Sequence, residues 1–286
     1  MKFIKDTENL IPRINSLEPR YLLEFLSLKQ GLKKVLRIHI ENNREYEDLK
    51  YYANSNNLLI GHSTFKLKIS WQNELGDTFL ENTDWSDPNA EQFVAYLSLD
   101  QKLLDKAVSI EVDEDHIDAG LLYGYPKCCC ENYKIISEGK YWIDCLLENS
   151  KGLFFDYRTN KLAYLTNGFT LFPDYFNCSF HCTGTIDLSD KYKDIGDDYG
   201  LSELTSNIIS CMKGLFLVHE TNIIKFDNYI INHNCNDIDV SMDKVSIYGD
   251  RIDFSENRAI KLNIEDHNND FYTYLKGIKY RVLVFE

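Results

Sequence analysis

Two short stretches, Gly124-Tyr125-Pro126-Lys127-Cys128-Cys129-Cys130 and Cys178-Ser179-Phe180-His181-Cys182, hold five of the eight cysteines of this chain. Thiols grouped in this way, in a chain without secretory features, serve as metal ligands or redox groups rather than as disulfide frameworks. Cys178 and Cys182 are four residues apart, a spacing that on a helix puts both sulfurs on one face. Cys128 and Cys129 could supply the other half of a four-thiolate site, of the kind that holds structural zinc or an iron-sulfur cluster. Successive side chains on a regular helix diverge by about 100°, so an adjacent pair needs a helix start or a turn to share one ion. Two other readings stay open: a metal-free thiol enzyme in which Cys128 or Cys129 attacks an electrophile, and simple packing, with Cys129 and Cys145 as small core residues. Cys145, Cys211 and Cys235 stand alone and read as structural, and Cys130 is an extra thiol beside the pair.

Proton-handling groups lie just upstream, in Glu111-Val112-Asp113-Glu114-Asp115-His116-Ile117-Asp118. His116 and Asp118 are the candidates to move protons at the thiol site, whereas Asp113 or Asp115 reads as a helix cap with its neighbours facing water. Tyr123, Tyr125, Phe172, Tyr175 and Phe176 bracket the thiols as core aromatics or as the walls of a small-molecule pocket, with Tyr125 as the cofactor-contact candidate. His181 ranks below the thiols, and His219-Glu220 and His233-x-Cys235 lack a second ligand pair at useful spacing.

The run Ala119-Gly120-Leu121-Leu122-Tyr123-Gly124-Tyr125-Pro126-Lys127-Cys128-Cys129 resembles the signature of an uncharacterised archaeal and bacterial family that reads Leu-Leu-Gly-Tyr-Pro-x-Cys-Cys, with a later Pro-Cys-x-x-x-Cys. Tyr123 is inserted in the Leu-Leu-Gly run, and Asn177 stands where that family has proline. The resemblance covers the middle third of the chain and implies a shared site and fold, with no named reaction.

These side chains must be positioned by an α+β frame. Arg20 to Leu28 has helical periodicity, Val35 to Ile40 alternates as a half-buried strand, Glu45 to Ala53 is predicted helical, and Leu58–Gly61 and Phe65–Trp71 are predicted as two further strands. The result is a βαββ-like N-terminal region over 1–88, closed by the polar stretch Glu81 to Asn89 as a candidate boundary. Residues 89–213 are predicted mainly helical, from Phe93 onwards, with Pro126 opening a helix whose first turn carries Cys128, Cys129 and Cys130. That placement lowers thiolate pKa and favours anionic ligands. Residues 214–286 are predicted as a β-rich subdomain of short apolar runs separated by Asn, Asp and Gly turns, among them Tyr248-Gly249-Asp250.

Thirty-one basic against 45 acidic side chains give a net charge of −14, a field that repels nucleic acid and anionic membrane surfaces. Lys33, Lys34 and Arg37 are a local cluster expected at a solvated helix end or strand edge. The Met1-Lys2-Phe3-Ile4-Lys5-Asp6 start has no signal-peptide core, and no apolar run approaches the roughly 18 residues of a membrane span. The expectation is a cytoplasmic protein with a zinc or iron-sulfur site, whose partner is a small-molecule substrate or another protein. Phosphate loops, dinucleotide turns, nucleophile elbows and His-Glu-x-x-His helices are absent from the sequence, which argues against nucleotide-driven motors and ordinary serine hydrolases.

Overall fold

The alternation of Val35 to Ile40 becomes strand β1 (Val35–Ile40) in the computed structural model, with Leu36, Ile38 and Ile40 buried on one side. The structure describes residues 19–72, 78–90, 92–113, 115–167, 170–171, 175–220, 222–232, 237–241, 245–249 and 259–286. Glu114, Phe172, His233, Cys235, Asp250 and the N-terminal Met1 to Asp6 lie outside them.

β1 joins β2 (Leu59–Gln72), β3 (Thr78–Thr83) and β4 (Gln92–Ser98) in an antiparallel sheet ordered β1-β4-β2-β3. One face, Leu36, Ile38 and Ile40 with Phe93, Ala95 and Leu97, packs on helices α1 (Pro19–Lys29) and α2 (Asn43–Ser55). On the other face Val35, Val94 and Tyr96 meet α3 (Gln101–Val112) and the short α4 (His116–Leu122). The helices begin where polar caps allow. Asn42 accepts from the Glu45 amide at α2, Asp100 from those of Lys102 and Leu103 at α3, and Asp115 from that of Asp118 at α4.

Two expectations change here. Phe93 to Ser98 is a strand rather than the start of a helical stretch; β4 lies between two neighbours and is covered on both faces, so its apolar run does not alternate. The two strands expected at Leu58–Gly61 and Phe65–Trp71 merge, from Leu59 onwards, into one long strand, β2, whose register against β4 shifts between His62 and Lys66. Ser63 bridges the shift, its hydroxyl donating to the Phe65 carbonyl at 2.6 Å and accepting from the Val94 amide at 3.2 Å. The polar stretch Glu81 to Asn89 runs from β3 to β4 within this sheet, braced by Asp84 and Asp87 accepting from Ser86 and Asn89.

The central region is helical: α5 (Lys127–Ser137), α6 (Trp142–Glu148), α7 (Leu162–Asn167), α8 (Thr183–Asp198) and α9 (Ser202–Met212). Between α6 and α7 run the two-residue strand β5 (Phe154–Phe155) and one turn of tighter helix. Beyond them β6 (Gly214–His219), β7 (Asn222–Phe226), β10 (Val245–Gly249), β12 (Glu265–His267), β13 (Asp270–Leu275) and β14 (Ile278–Phe285) build a sheet ordered β10-β7-β6-β14-β13-β12, with β5 parallel to β14. Its period-two pattern has a direct packing consequence. Phe216, Val218, Leu283 and Phe285 face the central helices, while Leu215, Leu217, Val282 and Val284 face a smaller sheet of β8 (Tyr229–Asn232), β9 (Asp237–Ser241) and β11 (Ala259–Asn263). The fold is thus α+β: an N-terminal sheet with helices, a central helical region bearing the cysteines, and C-terminal β-rich sheets. Among the described residues no helix is long and apolar enough to cross a membrane.

Candidate metal centre

Pro126 caps the start of α5, fixing its own φ at −59° and leaving Cys128 and Cys129 in the first turn. The second motif behaves differently from a helical pair. Cys178 lies in the irregular segment before α8 and Cys182 is the N-cap of that helix, so chain reversal rather than helical spacing brings their sulfurs together. The two helix starts are pressed against each other. A Cβ on Gly184 would come within 2.8 Å of Pro126 Cβ, so only glycine permits this approach. Both positive helix ends therefore face the thiols.

The sulfur atoms of Cys128, Cys129, Cys178 and Cys182 all lie within 4.8 Å of one another. Cys129 and Cys182 are 3.5 Å apart, Cys128 and Cys182 3.6 Å, and Cys128 and Cys129 4.0 Å. This is a group that could hold a metal ion, and among the described residues it is the one such group of histidine, cysteine and carboxylate ligands. Cys129 and Cys182 are buried, Cys178 is partly buried and Cys128 is exposed.

Hydrogen bonding within the group separates the sulfurs electrostatically. Bonds from Cys129, then Cys178, hold Cys182 far below the usual thiol range, with Thr185 contributing. Bonds to Cys178 and Cys182, together with burial, push Cys129 far up. One thiolate shared by neighbouring protonated thiols is the arrangement expected before a cation displaces the protons.

A surrounding layer orients the sulfurs. Thr185 Oγ1 lies 3.7 Å from Cys129 Sγ and accepts the Tyr175 hydroxyl at 3.1 Å. The Tyr175 ring stacks on Tyr125 at 4.8 Å, and the Lys33 ammonium lies 5.1 Å from the centre of the Tyr125 ring. Thr185 is invisible to a search for ligand types, yet its position one helical turn past Cys182 is a signal of its own. Cys130 turns away from the group. Its Sγ lies 3.8 Å from the Tyr125 carbonyl, and a Cβ on Gly120 would meet that Sγ at 2.6 Å, so Cys130 is a packing residue.

The sequence candidates for proton transfer have partners of their own. The His116 ring packs edge-on against Tyr133 at 5.4 Å, and Asp118 pairs with Lys106 at 3.0 Å on the surface. His181 Nε2 lies 2.7 Å from the Lys151 carbonyl. Tyr125 stacks on Tyr175, the donor to Thr185. Comparison with protein-family models, curated proteins and solved structures returns no match.

Asp115 caps α4 as expected and Lys34 is exposed, whereas Lys33, Arg37 and Glu111 differ from expectation. Lys33 is buried and paired with buried Glu24 at 3.0 Å, and Arg37 Nε pairs with Glu111 Oε1 at 2.5 Å. Tyr96 and Tyr123 both donate to Glu111, so this carboxylate faces the interior instead of water. Tertiary packing joins a basic and an acidic segment that local sequence reading assigns separately to solvent.

Proposed function

We propose that this is a cytoplasmic zinc-binding protein whose single tetrahedral ion, held by Cys128, Cys129, Cys178 and Cys182, fixes the central helices against one another. The carrying observation is the mutual 4.8 Å limit on the four sulfurs. Zinc–sulfur bonds of about 2.3 Å at tetrahedral angles require sulfur–sulfur edges of roughly 3.8 Å, close to the spacing of the Cys128, Cys129 and Cys182 sulfurs. An iron-sulfur cluster spreads its four thiolates over two or more irons, so some of the sulfurs must stand farther apart than around a single ion. Four protein sulfurs fill the coordination sphere, the pattern of a structural rather than a hydrolytic zinc site. Resemblance to the Gly-Tyr-Pro-x-Cys-Cys family belongs to the same proposal, since its two motifs supply the two halves of this group.

The test is elemental analysis with an optical spectrum on anaerobically purified protein, beside the Cys128→Ser/Cys182→Ser variant. Expected are a colourless protein with one zinc per chain and a variant without it. A brown, iron-rich preparation, or a well-folded wild type without metal, would sink the proposal.

One observation favours a second reading. Cys129 and Cys182 lie 3.5 Å apart with Cys182 at a helix N-cap, a geometry suited to a metal-free dithiol. That reading requires full folding without metal and a Cys129–Cys182 disulfide on mild oxidation. The enzyme reading with His116 or Asp118 moving protons draws less support, because those side chains are engaged by Tyr133 and Lys106.

A further inference from the structure

The thiol group is asymmetric in a way that a purely structural ion does not need. Cys129 and Cys182 are buried and share the Thr185 hydroxyl, and Cys178 is packed into the surrounding core. Cys128 is the exposed member, at the surface end of the first turn of α5. Beside it Gly184 presents no side chain; even an added Cβ would lie 3.9 Å from Cys128 Sγ. Hydrogen bonds and burial withdraw electron density and access from a metal-bound thiolate. Cys128 touches its fellow sulfurs Cys129 and Cys182 and is open to solvent, so as a metal-bound thiolate its outward lone pair stays available for attack.

Resting on the zinc reading, we propose a further activity: Cys128 is a zinc-activated nucleophile that accepts an alkyl group from a soft carbon electrophile. In this step the Cys128 Sγ lone pair forms a bond to the electrophilic carbon as the carbon–leaving-group bond breaks, and the leaving group departs with its electron pair. No proton or external electron is needed. The thiolate becomes a thioether, and the ligand set loses one negative charge while Cys129, Cys178 and Cys182 continue to hold the ion. The electrophile class is small and uncharged, since the site is an open surface sulfur flanked by Lys127 and Glu131, which pair with each other at 3.6 Å.

The experiment treats zinc-containing wild-type protein with methyl iodide at pH 7, locating the methyl group by peptide mass spectrometry and measuring zinc in the same sample. The reference is the same chain unfolded in denaturant with chelator, where each thiol is only a few per cent thiolate. Expected is methylation of Cys128 roughly tenfold faster than in the unfolded chain, with Cys129, Cys178 and Cys182 protected and zinc retained. Zinc present with Cys128 reacting no faster than in the unfolded chain, or with Cys178 reacting equally, overturns the activity and leaves the zinc site standing. Absence of zinc from the native protein overturns the reading beneath it, and the activity with it. Because the comparison uses wild-type chain throughout, it does not depend on a variant that folds.

Discussion

At the scale of single residues, the sulfurs depend on Thr185 more than on any charged neighbour. Its hydroxyl, supplied with a proton by Tyr175, is free to donate to Cys129 or Cys182. Thr185→Val keeps the shape and removes that donor, so metal affinity should fall about 10- to 100-fold, as outer-layer ligand partners usually require. Competition against a chromophoric chelator measures it, and an unchanged affinity would remove Thr185 from the site. Glu111 gives a second residue-scale expectation. Burial alone would raise its pKa, but the Arg37 charge and hydrogen bond, with donations from Tyr123 and Tyr96, bring it below the ordinary 4.5. A lowered folded pKa means that its stabilisation is present above about pH 4.5 and is lost as the pH falls through the lower folded value. Glu111→Gln should therefore be less stable at neutral pH and show a shallower stability loss on acidification, read from denaturant midpoints against pH.

Two glycines of α8 let it approach its neighbours closely. Gly184 allows the start of α8 to approach Pro126 at the start of α5, and Gly196 allows α8 to cross α9, where an added Cβ would lie 2.4 Å from Thr205 Cγ2. Gly196→Ala should destabilise by ~1–3 kcal/mol through overpacking, despite the better helix propensity of alanine. Thr205→Ser removes the colliding methyl, so the double variant should be more stable than the two single changes sum to; strict additivity in the cycle would refute the contact. At α2 the cap is reciprocal, Asn42 accepting from the Glu45 amide while the Glu45 carboxylate accepts from the Glu41 amide. Asn42→Ala should cost about 1 kcal/mol in a thermal or urea melt, without touching the thiol group.

Across the whole molecule the three regions are tied by side chains that skip long stretches of chain. Arg281 of β14 donates to the Leu147 carbonyl in the last turn of α6 and to the Ser150 carbonyl just beyond it, joining the C-terminal sheet to the helices. Ser27 of α1 hydrogen-bonds Tyr192 of α8 at 3.3 Å, joining the N-terminal layer to the same helices. Removal of the proposed zinc should act locally first, since its four ligands all lie in the central region. Chelation is expected to lower the melting temperature and to speed amide hydrogen exchange in α5 and the start of α8, while β1 and β4 keep their protection. Uniform loss of protection, or none, would show that the ion does not brace this region.

Sequence alone determined the chemistry on offer and much of the frame. Residue type and grouping marked Cys128, Cys129, Cys178 and Cys182; period-two alternation marked β1; short apolar runs between Asn, Asp and Gly turns marked the C-terminal strands; Pro126, and Asp113 or Asp115, marked helix starts. These signals are local, set by backbone sterics and by polar groups a few residues apart. Tertiary structure decided what depends on distant segments. It placed Cys178 and Cys182 around a helix cap rather than along a helix, made Phe93 to Ser98 a central strand by covering both its faces, buried Lys33 against Glu24, and drew Arg37 and Glu111 together as a partly buried pair. It also brought in Thr185, whose hydroxyl matters only because the fold sets it against sulfur. Such roles arise from long-range contacts, which a reading of neighbours along the chain cannot contain.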